Sequence, residues 1–85
     1  MSNKIYVGNL NYRTSENDLT ELFTQYGSVA SARIITDRAT GRSKGFGFVE
    51  METEDAAAAA ISALNGQEFQ QRELRVSEAI EKNPR

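Results

Sequence analysis

The chain of 85 residues contains neither cysteine nor histidine. Without cysteine there is no disulfide framework, no cysteine-based metal site and no thiol nucleophile. Without histidine it lacks the commonest general base and the commonest metal ligand. Long apolar runs are missing too. The longest, Ala56 to Ile61, is an alanine stretch closed by one isoleucine, too short and too weakly hydrophobic to cross a membrane. The opening residues MSNKIYV have neither the apolar core nor the cleavage site of a signal peptide. Eighty-five residues imply a single domain near the lower size limit for folding unaided, and these absences make a reducing, cytoplasmic setting the expectation. No cofactor, metal or membrane contact is expected of it.

Positive charge is not in excess. Ten Lys and Arg against twelve Asp and Glu give a net charge of −2, which argues against holding a polyanion by bulk electrostatics. The charges are unevenly distributed, however. Glu16, Asp18 and Glu21 fall on one candidate helix, and Glu54 and Asp55 open another. Carboxylates in a first helical turn are favoured by the helix dipole whatever the protein does. The stretch from Arg33 to Lys44 also carries Arg38 and Arg42, against Asp37 alone. A basic side and an acidic side are therefore expected.

Hydrophobic periodicity supplies the elements. Lys4 to Val7 alternates as a strand, with Ile5 and Val7 on one face and Lys4 and Tyr6 on the other. Ser15 is a good N-cap, and Asp18 three residues on makes an Asp variant of the capping box. Leu19, Leu22, Phe23 and Tyr26 then form the stripe of an amphipathic helix, closed by Gly27 as a left-handed residue. Val29 to Thr36 and Gly45 to Met51 read as a second and third strand about the polar loop DRATGRS. Thr53 caps a second helix whose small Ala57 and Ala60, with Ile61 and Leu64, let it lie close to a sheet; Asn65-Gly66 ends it. Leu74 and Val76 mark the inner face of a fourth strand, and residues 80–85 form a polar tail. The order βαββαβ belongs to the α+β class. It implies a ferredoxin-like, four-stranded antiparallel sheet with two helices on one face.

The uncovered face of such a sheet should be polar. Instead the first strand places Tyr6 there, and the third places Phe46 and Phe48. Ile5, Val7, Val49 and Met51 already supply the inner face, so the three rings are expected in contact with water. Exposed apolar patches mark interaction sites, and flat rings near positive groups suit nucleic-acid bases, which all have a face to stack. Lys4, Arg33, Lys44 and Arg75 share the outward parity and can meet phosphates or stack; Glu50 shares it too and is unhelpful to an anion. Gly45 and Gly47 lie on the helix-facing side of the third strand, where close approach of a helix backbone would account for them. Phe23, Tyr26 and Phe69 are core or core-edge residues. Tyr12 is a loop residue resting on the domain edge.

KGFGFVEM (Lys44 to Met51) resembles the eight-residue ribonucleoprotein signature of the RNA recognition motif, and IYVGNL (Ile5 to Leu10) its six-residue partner. DRATGRSKGFGFVEM as a unit resembles small single-domain bacterial RNA-binding proteins, themselves similar to cold-inducible glycine-rich ones. The resemblance runs from Lys4 to about Ala79. It implies that Tyr6 and Phe46 stack on bases and that Phe48 packs on a base or between sugars. Lys44 would meet a backbone phosphate, Asn9 would act at the end of the first strand, and Arg75, Ser77 and Glu78 would bond base edges. Arg38 and Arg42 fit either a solvated hairpin or a direct contact, and Arg42 is taken as the contact. Met51 departs from the family's usual buried aromatic, and Gln71 from a turn glycine commonly found before Arg72. The 85 residues contain no glycine-rich tail of the kind some relatives carry.

The expectation is a monomeric, non-enzymatic domain that binds single-stranded RNA, and single-stranded DNA more weakly, in RNA metabolism or cold- and stress-related RNA handling. A protein-interaction module on the same fold is the alternative. An enzyme would need a convergent polar site, and fold alone does not supply one.

Overall fold

The computed structural model describes residues 3–79. Strand β1 (Lys4–Gly8) is followed by helix α1 (Glu16–Thr24), strands β2 (Val29–Thr36) and β3 (Ser43–Met51), and helix α2 (Glu54–Leu64). A short hairpin of β4 (Glu68–Phe69) and β5 (Arg72–Glu73) then leads into β6 (Arg75–Glu78). β2, β3, β1 and β6, in that order, form one antiparallel sheet. This is the expected ferredoxin-like arrangement, with β6 as its fourth strand. The proposed tail, residues 80–85, lies outside the described residues.

The core forms where the inward parity of the strands meets the apolar stripes of the helices. Ile5, Val7, Val49, Met51, Leu74 and Val76 come from the sheet and its approach, Leu19 and Phe23 from α1, and Ala57, Ala60 and Leu64 from α2. Met51 is fully buried, and its flexible thioether suits it to filling irregular core space. Helix α1 starts on the expected capping box. Ser15 Oγ accepts from the Asp18 amide at 3.1 Å, and Asp18 Oδ2 accepts from the Ser15 amide at 3.1 Å. The helix ends at Thr24, short of Tyr26, which enters through a tighter turn by donating its amide to the Phe23 carbonyl at 3.0 Å. Thr53 Oγ1 caps α2 by accepting from the Ala56 amide at 3.1 Å.

Gly47 corrects one expectation. A Cβ there would be driven into the carbonyl oxygen of Arg33 and would lie 3.1 Å from Ile34 Cα. The backbone that needs the space belongs to the neighbouring strand β2, not to a helix. The β2–β3 register shifts between Ile34 and Thr36, next to this close approach.

The β4–β5 hairpin was not legible as strands. Its two turn residues, Gln70 (φ 51°) and Gln71 (φ 71°), both take left-handed backbone, the φ signature of a type I′ turn that usually calls for Asn and Gly. Hydrogen bonds offset the strain. Asn11 Nδ2 donates to the Gln70 carbonyl at 3.0 Å, Thr14 Oγ1 donates to Gln70 Oε1, and Gln70 Nε2 donates to Asp18 Oδ2 at 3.2 Å. The hairpin is thereby fastened to the loop between β1 and α1 and to the N-terminus of α1.

Candidate nucleic-acid interface

The register of the sheet sets the outer face residue by residue. Tyr6 stands opposite Phe48 on β3 and Ser77 on β6, and Phe48 stands opposite Arg33 on β2. Directly opposed residues of antiparallel strands share a face, so Arg33, Phe48, Tyr6 and Ser77 form one row across the sheet. Lys4, Glu50 and Ser31 form the next row, and Arg75 sits opposite Gly8. Glu78 breaks the expectation: it pairs with inward-pointing Ile5, so strand parity turns it to the helix side, away from Ser77.

Three rings occupy the middle of this face. The Tyr6 centroid lies 5.9 Å from both Phe46 and Phe48, and the two phenylalanines lie 6.2 Å apart and almost perpendicular, at 89°. Phe48 is 37% exposed, while Tyr6 and Phe46 are half-buried. Gly8 fixes the lie of Tyr6. A Cβ there would be 2.5 Å from Tyr6 Oη and 2.8 Å from Cε2, so the phenol lies flat along β1 over a bare backbone.

The rings stand between two open concavities. One, of about 500 Å³, is walled by Lys4, Ser31, Arg33, Ile35, Phe48 and Glu50. The other, of about 890 Å³, is walled by Tyr12, Asp37, Arg42, Ser43, Lys44 and Phe46. The side chains of Arg33, Arg42 and Lys44 are exposed and make no ion pair or hydrogen bond among the described residues, leaving three cations for an anionic ligand. Nor do three His, Cys, Asp or Glu side chains gather as metal ligands among those residues. What the face offers is aromatic surface, cations and a few hydroxyls, with the carboxylates of Glu50 and Asp37 beside them.

The sequence model of the RNA recognition motif matches residues 5–75. The chain belongs to the RNA recognition motif family. RbpE of Nostoc sp. is 55% identical over 75 residues, which cover 88% of this chain and 76% of RbpE. Glycine-rich RNA-binding protein 4, mitochondrial, of Arabidopsis thaliana is 45% identical over 83 residues, 98% of this chain and 61% of that protein. Among solved structures, RNA Binding Protein PG1 is 64% identical with a TM-score of 0.91, covering 98% of this chain and all of that one. The RNA recognition motif of Rna15 with bound RNA (GU) is 28% identical with a TM-score of 0.85, covering 99% of this chain and 89% of that one.

Within this family member, Tyr6, Phe46, Phe48, Lys4, Arg33, Arg75 and Ser77 come together on the open face. Arg42 and Lys44 border it beyond Phe46. Asn9 is differently employed. It takes left-handed backbone (φ 58°), its Nδ2 donates to the Glu73 carbonyl at 2.6 Å, and its Oδ1 accepts from Arg72 at 2.8 Å. Its side chain holds the β4–β5 hairpin beside the end of β1. Tyr12 was missed as a member of the surface. It is 70% exposed and lines the second concavity. A lone aromatic in a polar loop carries no periodic signal, and its position depends on a contact with distant Gly45.

Proposed function

We propose that this chain binds single-stranded RNA by stacking unpaired bases on Tyr6, Phe46 and Phe48. The observation that carries the reading is the triad itself: three rings about 6 Å apart on a sheet face that no element of the described chain covers, with free cations at both ends. Stacking on aromatic side chains contributes about 1–3 kcal/mol per base. Duplexes hide their base faces, whereas single strands present them. The 28%-identical Rna15 motif, solved with RNA (GU), supports the reading. Single-stranded DNA should bind the same rings more weakly, since stacking alone does not reject deoxyribose and the polar rim gains a partner from each 2′-hydroxyl. Cold- or stress-related RNA handling is the setting that the resemblance to glycine-rich relatives suggests.

The test is a competition titration with RNA oligomers of about 3–5 nucleotides, the span of two or three stacked bases with flanking phosphates. Single strands should displace a labelled oligomer, and a duplex of the same composition should compete far less well. Equal or tighter duplex binding would rule out the sheet mechanism.

A further inference from the structure

Resting on the RNA-binding reading, the geometry points to a choice of base: Glu50 selects guanine for the position stacked on Phe48, its carboxylate accepting from N1–H and from the 2-amino group. Glu50 is half-buried on the open face of β3, in one row with Lys4 and Ser31. A strand alternates its faces and rises about 3.4 Å per residue, so Glu50 stands about 7 Å along β3 from Phe48 and on the same side. A carboxylate is out of place on a surface that meets phosphates, and the ordinary reason for one there is a pair with a cation on the neighbouring strand. Lys4 is directly opposite, yet the Glu50 carboxylate makes no hydrogen bond or ion pair among the described residues. It has lost water on its covered side without gaining a donor in exchange.

The chemistry of the four bases selects the occupant. An ionised carboxylate only accepts, and its two oxygens suit two parallel donors. Guanine alone places two donors side by side on its Watson–Crick edge. Adenine and cytosine each set an amino group beside a ring nitrogen that accepts, and uracil sets its single N–H between two carbonyls. Those three therefore bring lone pairs against the carboxylate. Phe48, Glu50, Arg33, Lys4 and Ser31 wall one concavity of about 500 Å³, so stacking ring, acceptor and donors converge on the same space. Guanine O6, next to N1–H, meets a donor there in Arg33, which is exposed and unpaired among the described residues. A basic side chain of a peptide would also satisfy Glu50, but it would face Arg33 and Lys4 across the same concavity. A base edge brings donors without a positive charge.

The experiment measures affinity for single-stranded RNAs of about five nucleotides: oligouridine, and oligouridine with guanosine, inosine, adenosine or cytidine placed at each position in turn. Wild type, Glu50→Gln and Phe48→Ala are compared, with thermal unfolding on the same samples to confirm that each is folded. The wild type should favour guanosine over the other bases at one position by roughly 5- to 150-fold, the discrimination of one bidentate contact. Inosine, which keeps N1–H and lacks the 2-amino group, should fall between guanosine and adenosine there. Glu50→Gln keeps the shape of the side chain but can accept only one of the two donors and carries no charge. It should lose the guanosine preference and bind oligouridine more tightly, by up to about fivefold, as a negative charge leaves the face. Changes of opposite sign cannot come from a general loss of structure. A wild type indifferent to guanosine at every position, or a preference that survives in Glu50→Gln, would overturn the selection. So would a Glu50→Gln protein weakened alike for every oligomer, the mark of a structural role. If Phe48→Ala binds like wild type, the stacking reading fails, and with it the selection. A weakened Phe48→Ala beside a wild type without guanosine preference refutes the selection alone.

Discussion

Two glycines of the sheet make opposite demands, and the difference separates binding from folding. At Gly8 an added methyl meets the far end of Tyr6, whose Oη lies 2.5 Å from the position it would occupy. The phenol can swing aside, so Gly8→Ala should leave stability nearly unchanged and weaken RNA binding by about 1 kcal/mol, the lower end of one stacking contact. At Gly47 the methyl meets the backbone of Arg33 and Ile34, which cannot move without disrupting β2. Gly47→Ala should cost about 1–3 kcal/mol of stability. Urea unfolding and RNA titration of both variants check the pair; equal losses of stability would contradict the assignment of Gly8 to the site. The rings above these glycines were legible because a strand's period of two sorts residues between faces, and Ile5, Val7, Val49 and Met51 had already claimed the inner one. Which backbone presses on Gly47 was not legible, because it depends on how a different strand, β2, lies beside it. Glu78 was misplaced for a related reason: its face follows from its pairing with Ile5, which a motif position does not state.

At the level of elements, α1 and both cap residues were readable from local chemistry alone, whereas the β4–β5 hairpin was not. Strands of two residues carry no period, and two glutamines in left-handed backbone contradict ordinary turn preferences. Non-local hydrogen bonds from Asn11 and Thr14 hold that turn, and Asp18 joins them to the helix cap. Hydrogen bonds from the Ser15 backbone first, then from Gln70, hold the Asp18 carboxyl below its ordinary pKa. A carboxylate with a depressed folded-state pKa contributes stability that is fully present above its unfolded-state pKa and is lost as pH falls through the folded one. The wild type should therefore lose stability on acidification faster than Asp18→Asn, which keeps a capping side chain but does not titrate. Thermal melts across the acid range test this, and parallel curves for the two proteins would show that Asp18 contributes no such linkage.

Across the whole molecule, a net charge of −2 coexists with a face bearing Arg33, Arg42, Lys44 and Arg75, because Glu16, Glu21, Glu54 and Asp55 are carried by the helices. Such a face can neutralise about 2–3 phosphates, so log K should fall against log salt concentration with a slope of roughly −1.4 to −2 for a single strand. Lys44→Ala should lower affinity for all sequences alike and make that slope shallower by about 0.7. A slope several times steeper would place electrostatics above stacking. The central claim is that the aromatic triad serves RNA rather than the core, and one paired measurement tests it most directly: thermal stability and RNA affinity of Phe46→Ala, Phe48→Ala and Phe23→Ala on the same samples. Phe23 is fully buried, and its loss should cost about 3–5 kcal/mol of stability. Phe46 and Phe48 are only partly covered, so each should cost about 1–2 kcal/mol of stability while affinity falls by a factor of roughly 5 to 150. A folded Phe46→Ala or Phe48→Ala protein that binds single-stranded RNA as tightly as the wild type would contradict the account.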